Sequence, residues 1–261
     1  MFDRDPAPPA AAAPIITLLT DFGTADGYVA EIKGVLLSAV PNGQIIDISH
    51  DIPPQDVEAA RLALARYWRR FPAGTVHLVV VDPGVGTARP ALAVQAEGRL
   101  LLGPDNGVLS PALLMPGVRA VSIPVPVGAS PTFHGRDVFA PAAAALARGA
   151  ALESIGTPAR SPIVLRTPEP VREGDGVLRG EVISVDRFGN LVTNFIAVRA
   201  GVVEIAGKAI PLRRTYGDVQ PGELVAMVGS SGLLEIAVRD GSAAQTLGLG
   251  RGTPVLWIPA R

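Results

Sequence analysis

Two carboxylates stand directly behind apolar runs of strand character. Asp21, in Thr20-Asp21-Phe22-Gly23, follows Ile15–Thr20, and Asp82, in Val81-Asp82-Pro83-Gly84-Val85-Gly86-Thr87-Ala88-Arg89, follows Thr75–Val81. In open α/β sheets ligands bind beyond the carboxyl ends of strands, where loops converge and helix N-termini direct their amides. A cap or turn explains either acid alone, but two acids at two strand ends point to a site. A third group is His134, in Thr132-Phe133-His134-Gly135-Arg136-Asp137 just before a helical run; it is either an imidazole at a helix N-terminus or a surface-loop histidine. The fourth is Asp186-Arg187-Phe188-Gly189-Asn190-Leu191-Val192-Thr193-Asn194. Its Asp, Gly and Asn suit a tight turn, and an aromatic with two carboxamides equally suits a small polar ligand.

Other chemistries drop out. Gly84-Val85-Gly86-Thr87-Ala88-Arg89 has Arg89 in place of a third glycine and leads into an apolar strand, so it is no dinucleotide fingerprint. The G-x-x-x-x-G-K-S/T, H-E-x-x-H and G-x-S-x-G patterns are missing, and Gly229-Ser230-Ser231-Gly232 has the wrong spacing. With no cysteine and three histidines, thiolate chemistry is excluded and a metal site is not expected. His77 is mid-strand and reads as structural; His50 lies beside Asp51 in a loop. Lys+Arg number 23 against 24 Asp+Glu, a balance that argues against a basic nucleic-acid binder. No apolar stretch reaches the roughly 20 residues of a membrane span. The Ala/Pro-rich start carries Asp3, Arg4 and Asp5 without an apolar h-region, so a flexible cytoplasmic tail is expected over 1–14 rather than a secretory signal.

The elements that must position these residues change period once. From Ile15 to about Ala151, the runs Ile15–Thr20, Gln44–Ile48 and Thr75–Val81 alternate with helical faces. One face carries Tyr28, Ile32, Val35 and Leu36; the other carries Val57, Ala60, Leu64 and Tyr67, behind Asp56 as N-cap. This rhythm predicts an α/β domain with a largely parallel sheet over 15–160. An alanine-rich helix over Asp137–Arg148 ends at Gly149. The proline-rich, aperiodic stretch Gly156–Gly176 predicts a surface linker, set at 161–176. Beyond it, Glu181–Val185, Leu191–Phe195, Val202–Ile205, Leu224–Val228, Leu234–Val238 and Pro254–Ile258 predict a smaller all-β, barrel-like domain over 177–261 without helices.

Taken jointly, Thr20-Asp21-Phe22-Gly23, Asp47-Ile48-Ser49-His50, Val81 to Thr87, Pro104-Asp105-Asn106-Gly107, Phe133 to Asp137 and Asp186 to Asn190 resemble the S-adenosylmethionine hydroxide adenosyltransferases, relatives of the 5′-fluorinases and chlorinases. The resemblance runs from about Ile15 to Pro259. It implies hydrolysis of S-adenosyl-L-methionine to adenosine and L-methionine, with Asp82, Arg89 and His134 matching the set that binds and activates water. It also implies that Asp21 holds the ribose diol, that Asp186, Phe188, Asn190 and Ser230 surround the methionine and adenine portions, and that Tyr216 packs on adenine. Phe133 joins Phe188 and Val85 as a dry wall. No cofactor is expected, since S-adenosylmethionine is the substrate. The resemblance further implies a cytoplasmic homotrimer whose ligand lies between the first domain of one subunit and the second domain of its neighbour, with no nucleic-acid or membrane partner.

Departures from the family pattern are Gly229 where Asn often precedes the serine, Ser231 where a halogenase has Arg, and Arg239-Asp240 at a turn that usually contains Asn. The halogenases carry hydroxyl-bearing residues where this chain has Asp82, Val85 and Gly135, and a carboxylate repels halide. A 5′-halogenase and a non-catalytic nucleoside-binding module are the alternative readings.

Overall fold

A computed structural model describes residues 13–260, so most of the expected 1–14 tail lies outside the described residues. The chain divides into two units, Met1–Leu165 and Arg166–Arg261.

In the first unit, β1 (Ile15–Thr20), β2 (Gln44–Ser49), β3 (Val76–Val80), β4 (Ala91–Ala96), β5 (Arg99–Pro104), β6 (Arg119–Ile123) and β7 (Thr157–Pro158) form one sheet in the order β2-β1-β3-β5-β4-β6-β7. Its helices are α1 (Tyr28–Ala39), α2 (Val57–Tyr67), α3 (Ser110–Leu113) and α4 (Ala140–Ala147). Ile16, Leu18, Leu78 and Val80 pack in one core with Ile32 and Leu36 of α1 and Ala143 of α4. Leu19, Val79 and Val81 pack in the opposite core with Leu64 and Trp68. Burial on both faces is why β1 and β3 read as continuous apolar runs rather than alternating ones. Asp56 caps α2, its carboxylate accepting the Ala59 N–H at 3.0 Å.

The sheet is mixed, which corrects the expectation of a largely parallel one. The β1–β2, β1–β3 and β3–β5 ladders are parallel, whereas β4–β5, β4–β6 and β6–β7 are antiparallel. The cause is local: Glu97 and Gly98, with φ of 46° and 73°, join β4 to β5. Two successive positive φ values match the twist of a tight hairpin, so the chain folds back instead of crossing over. Both strand-end acids lie on the parallel half. His77 meets Thr17 Oγ1 through Nδ1 at 2.8 Å and packs edge-on against Tyr67 and Phe71. Burial, reinforced by the charge of Arg99, pulls its pKa down to about 4, so the ring is neutral core material.

The second unit contains β8 (Val171–Arg172), β9 (Leu178–Val185), β10 (Leu191–Ile196), β11 (Gly201–Ile205), β12 (Lys208–Pro211), β13 (Leu224–Val228), β14 (Leu233–Val238) and β15 (Pro254–Pro259). Their ladders are antiparallel, in the order β12-β11-β15-β9-β10-β14-β13, with β8 on β9. The two ends approach where Arg213 N donates to Ala226 O at 2.8 Å, so the sheet curls nearly shut around Phe195, Val203, Leu234 and Ile236. Among the described residues, one α-helix interrupts the strands, contrary to expectation: α5 (Ala243–Leu247), capped by Ser242, whose hydroxyl accepts the Gln245 N–H. It is too short to show a helical period, but Ala243 at its start is buried in the core.

Candidate active site

Thr20 of β1 pairs with Val80 of β3, so Asp21 and Asp82 emerge beside one another at the carboxyl edge of two parallel strands. Arg89 returns to that edge just before β4. Its Nη2 donates to Asp82 Oδ2 at 2.5 Å and lies 3.4 Å from His134 Nδ1. The structure therefore brings together Asp82, Arg89 and His134, the three residues that the family resemblance singled out. The side chains of Asp82 and Arg89 are 5% and 8% exposed, and His134 is buried too. Asp82 Oδ1 and Arg89 Nε are buried without a hydrogen-bond partner, an unusual state for charged groups. The Phe139 ring lies under the guanidinium at 5.7 Å.

Burial pushes the Asp82 carboxyl above the ordinary carboxylate range, while the Arg89 charge and the nearby His134 oppose that rise. Burial likewise lowers Arg89, and the Asp82 charge counters it. Each charge thus offsets part of the burial cost of the other.

His134 begins the helix that leads into α4, and the first turn is widened. Ala140 N donates to Gly135 O, a five-residue spacing that makes Gly135–Phe139 a π turn. Gly135 suits the spot: a Cβ there would meet Ile32 at 3.1 Å and Phe133 at 3.3 Å. The preceding loop is tied down by Asp137, whose carboxylate accepts Ser130 N at 2.8 Å and pairs with Arg136. The Arg136 hydrogen bonds pull the Asp137 pKa to about 2.

Asp21 accepts the Gln55 N–H at 2.8 Å. Its neighbour Phe22 packs edge-on against Phe133 at 5.9 Å, and Tyr28 completes an aromatic trio. The turn bearing Asp21 is braced by a residue the sequence reading left without a role: His50. This buried histidine meets Thr20 Oγ1 through Nδ1 at 2.9 Å, accepts Gly23 N at its carbonyl, and pairs with Asp47 through Nε2.

The remaining candidates lie in the second unit. Asp186 accepts the N–H groups of Phe188 and Asn190 on one oxygen and Asn190 Nδ2 on the other, each at 2.9 Å. Asn190 Nδ2 also reaches Tyr216 Oη at 3.3 Å. The turn is held from behind by α5: Ala244 N donates to Gly189 O, and Gly189, at φ 82°, has Ser242 where a Cβ would stand. Asp186, Asn190 and Tyr216 are thus joined, and the Phe188 ring projects into solvent.

Ser230 stays outside this hydrogen-bonded set, exposed at the turn between β13 and β14. Beneath that turn lies Glu235, which sequence reasoning missed. It is buried, its carboxylate occupies the space a Cβ on Gly229 would need, and with Asp186 it helps raise the Tyr216 pKa beyond what burial does. The available signal was one acid within the apolar run Leu233–Val238, on the opposite face from Leu234 and Ile236. Among the described residues, no group of three or more His, Asp or Glu side chains converges to hold a metal ion, and no helix is long and apolar enough to cross a membrane.

Residues 16–156 match the family model for the SAM hydroxide adenosyltransferase N-terminal domain, and residues 180–256 match the corresponding C-terminal domain. A protein from Thermus thermophilus named (R)-S-adenosyl-L-methionine hydrolase is 46% identical, covering 92% of this chain and 98% of that protein. One of the same name from Salinispora tropica is 42% identical, covering 93% and 97%. A protein from an Actinoplanes species named Fluorinase is 30% identical, covering 88% and 92%. Among solved structures, an uncharacterized conserved protein from Thermotoga maritima superposes with a TM-score of 0.84 at 37% identity, covering 93% of this chain and 99% of the other.

Proposed function

Because the chain belongs to the SAM hydroxide adenosyltransferase family, we propose that it hydrolyses S-adenosyl-L-methionine to adenosine and L-methionine by attack of water on the ribose C5′ opposite sulfur. The sulfonium is already cationic and leaves as neutral methionine, so departure needs no general acid and the reaction as written needs no cofactor. What remains is to hold an oxygen nucleophile in line with the C5′–S bond at roughly 3–3.5 Å.

The observation that carries this reading is the buried Asp82–Arg89 pair beside His134, with one carboxylate oxygen and the guanidinium Nε lacking a hydrogen-bond partner. Asp82 Oδ1 accepts a hydrogen bond from the water and then its proton, as the C5′–O bond forms and the C5′–S electron pair passes to sulfur. A carboxyl raised by burial is the better base for it. Arg89 keeps Asp82 ionised beforehand. A guanidinium only donates, so in this proposal His134 faces Arg89 with Nδ1 as acceptor and turns an Nε2 proton toward the nucleophile. His134 is therefore a donor that fixes the nucleophile, and Asp82 is the proton acceptor.

Asp21 holds the ribose diol and Phe133 walls the cage. Asp186, Phe188, Asn190, Tyr216 and Ser230 hold the adenine and methionine ends, and the exposure of Phe188 and Tyr216 suits rings waiting for cover. In this proposal the enzyme is a cytoplasmic homotrimer, each ligand held by the first unit of one subunit and the second unit of its neighbour. Mixing Asp82→Ala with Asn190→Ala subunits then restores part of the activity; a mixture as inactive as its parents overturns the shared site.

Purified enzyme is expected to release adenosine without added halide, and ¹⁸O-labelled water to deliver its label to the 5′-hydroxyl. Unlabelled adenosine would overturn direct attack by water. Since two relatives are named for the (R) form, the R sulfonium epimer is the expected substrate, and turnover of the S epimer alone would contradict this. A halide nucleophile is disfavoured by the buried carboxylate at position 82.

A further inference from the structure

The turn Pro104-Asp105-Asn106-Gly107, closing β5, takes no part in the proposed reaction, yet it grips both feet of the excursion that carries Asp82 and Arg89. Asn106 Nδ2 donates to Val81 O at 2.9 Å, the carbonyl immediately before Asp82. Asp105 N donates to Pro90 O at 3.0 Å, immediately after Arg89, and the Arg89 guanidinium donates to the same oxygen. The amide of Asn106 has only one workable orientation: Oδ1 accepts the Val108 N–H at 3.1 Å, which leaves Nδ2 facing Val81.

The turn is itself immobilised. The buried carboxylate of Asp105 accepts Ile163 N at 2.8 Å, and Ser110 Oγ accepts Leu165 N at 2.8 Å. Gly107, at φ 94°, has the Leu165 side chain where a Cβ would stand. No residue type at position 107 but glycine satisfies both the conformation and the space.

We infer that Asn106 is a positioning residue for the Asp82–Arg89 pair, fixing the carbonyl from which Asp82 departs so that its open oxygen stays aimed at the nucleophile. The inference rests on the reading of Asp82 and Arg89 as the water site. Physically, the excursion is rich in glycine and its own hydrogen bonds include the short-range turn bonds Val85 N to Asp82 O, Thr87 N and Oγ1 to Gly84 O, and Arg89 N to Thr87 Oγ1, with Gly86 lying close against the Pro131 carbonyl. The reach of Asp82 toward Arg89 therefore depends on where the two ends of the excursion are held, and Asn106 holds the nearer one.

The test compares Asn106→Ala with Asn106→Asp; the second keeps the acceptor for Val108 N, replaces the donor to Val81 by an oxygen that repels the carbonyl, and adds a charge. In both, kcat is expected to fall about 10- to 100-fold while adenosine affinity by calorimetry stays within about twofold. In Asn106→Ala the acid limb of kcat/KM should also move to higher pH, because a loosened Asp82 loses the opposing charge of Arg89. The charged and titratable groups bearing on the pair are Arg89 and His134 on Asp82, and Asp105 on Arg89. A native kcat in either folded variant overturns the inference, and so does a lowered kcat with an unmoved acid limb. If Asn106→Ala fails to fold, Asn106→Asp decides by its kcat. Asp82→Ala, run alongside, separates the two readings: full activity there removes the water site itself, whereas an inactive Asp82→Ala beside a native-like Asn106 variant removes only the brace.

Discussion

The two units treat their polar candidates in opposite ways. In the first, the side chains of Asp82 and Arg89 are almost wholly buried and pair through one oxygen and one nitrogen, leaving Asp82 Oδ1 and Arg89 Nε without a partner. In the second, Asp186 and Asn190 are spent on a turn, while Phe188 is 76% and Tyr216 43% exposed. A buried charge pair is organised before substrate arrives and costs little rearrangement when charge moves. An exposed ring contributes only once something covers it. Under the proposed reading, the rate rests on the buried Asp82–Arg89 pair of the first unit, and grip on the adenine and methionine ends rests on the second.

The largest expected effect tests the rate side. Asp82→Ala should lower kcat by about 10²- to 10⁴-fold with adenosine affinity nearly unchanged; single-turnover kinetics beside calorimetry measures both, and a loss confined to KM breaks the division. On the grip side, Tyr216→Ala or Asn190→Ala should raise KM about tenfold, about 1.4 kcal/mol, and change kcat less. The pH profile sharpens the contrast. Asp82 must be ionised to take a proton and its pKa is raised, so kcat/KM should fall with decreasing pH through a value above the ordinary carboxylate of about 3.9. Asn190→Ala should leave that limb in place. The smallest effect is expected from Ser242→Ala, which removes the cap of α5 behind the Asp186 turn. It should cost about 1 kcal/mol by denaturant unfolding and alter KM slightly; a fall in kcat would contradict the separation.

Legibility in the sequence followed the range of the interactions. Asp56 as a cap, His77 as core and the strand-end acids were readable because each depends on neighbours in the chain or on one periodic run. The gathering of Asp82, Arg89 and His134 was expected through a family resemblance, since no local pattern relates positions 82 and 134. The antiparallel half of the first sheet went unread because Glu97-Gly98 lacks the Asn-Gly or Asp-Gly signature of such turns. Glu235 looked like one polar position in a strand, and its burial depends on the turn at Gly229. The bond from Asn106 to Val81 joins the segments that follow two separate strands, where no periodicity reaches.

The widened turn at Gly135–Phe139 has a consequence for how this activity can be lost. Each helical residue advances the helix by about 100°, so a π turn acts as an insertion that rotates everything on its N-terminal side relative to the packed stem. Removing one residue from that turn would let an ordinary helix form and α4 keep its seat, while swinging the imidazole off its bearing. Under the proposed reading, a single in-frame deletion there silences turnover while the packed stem keeps the fold.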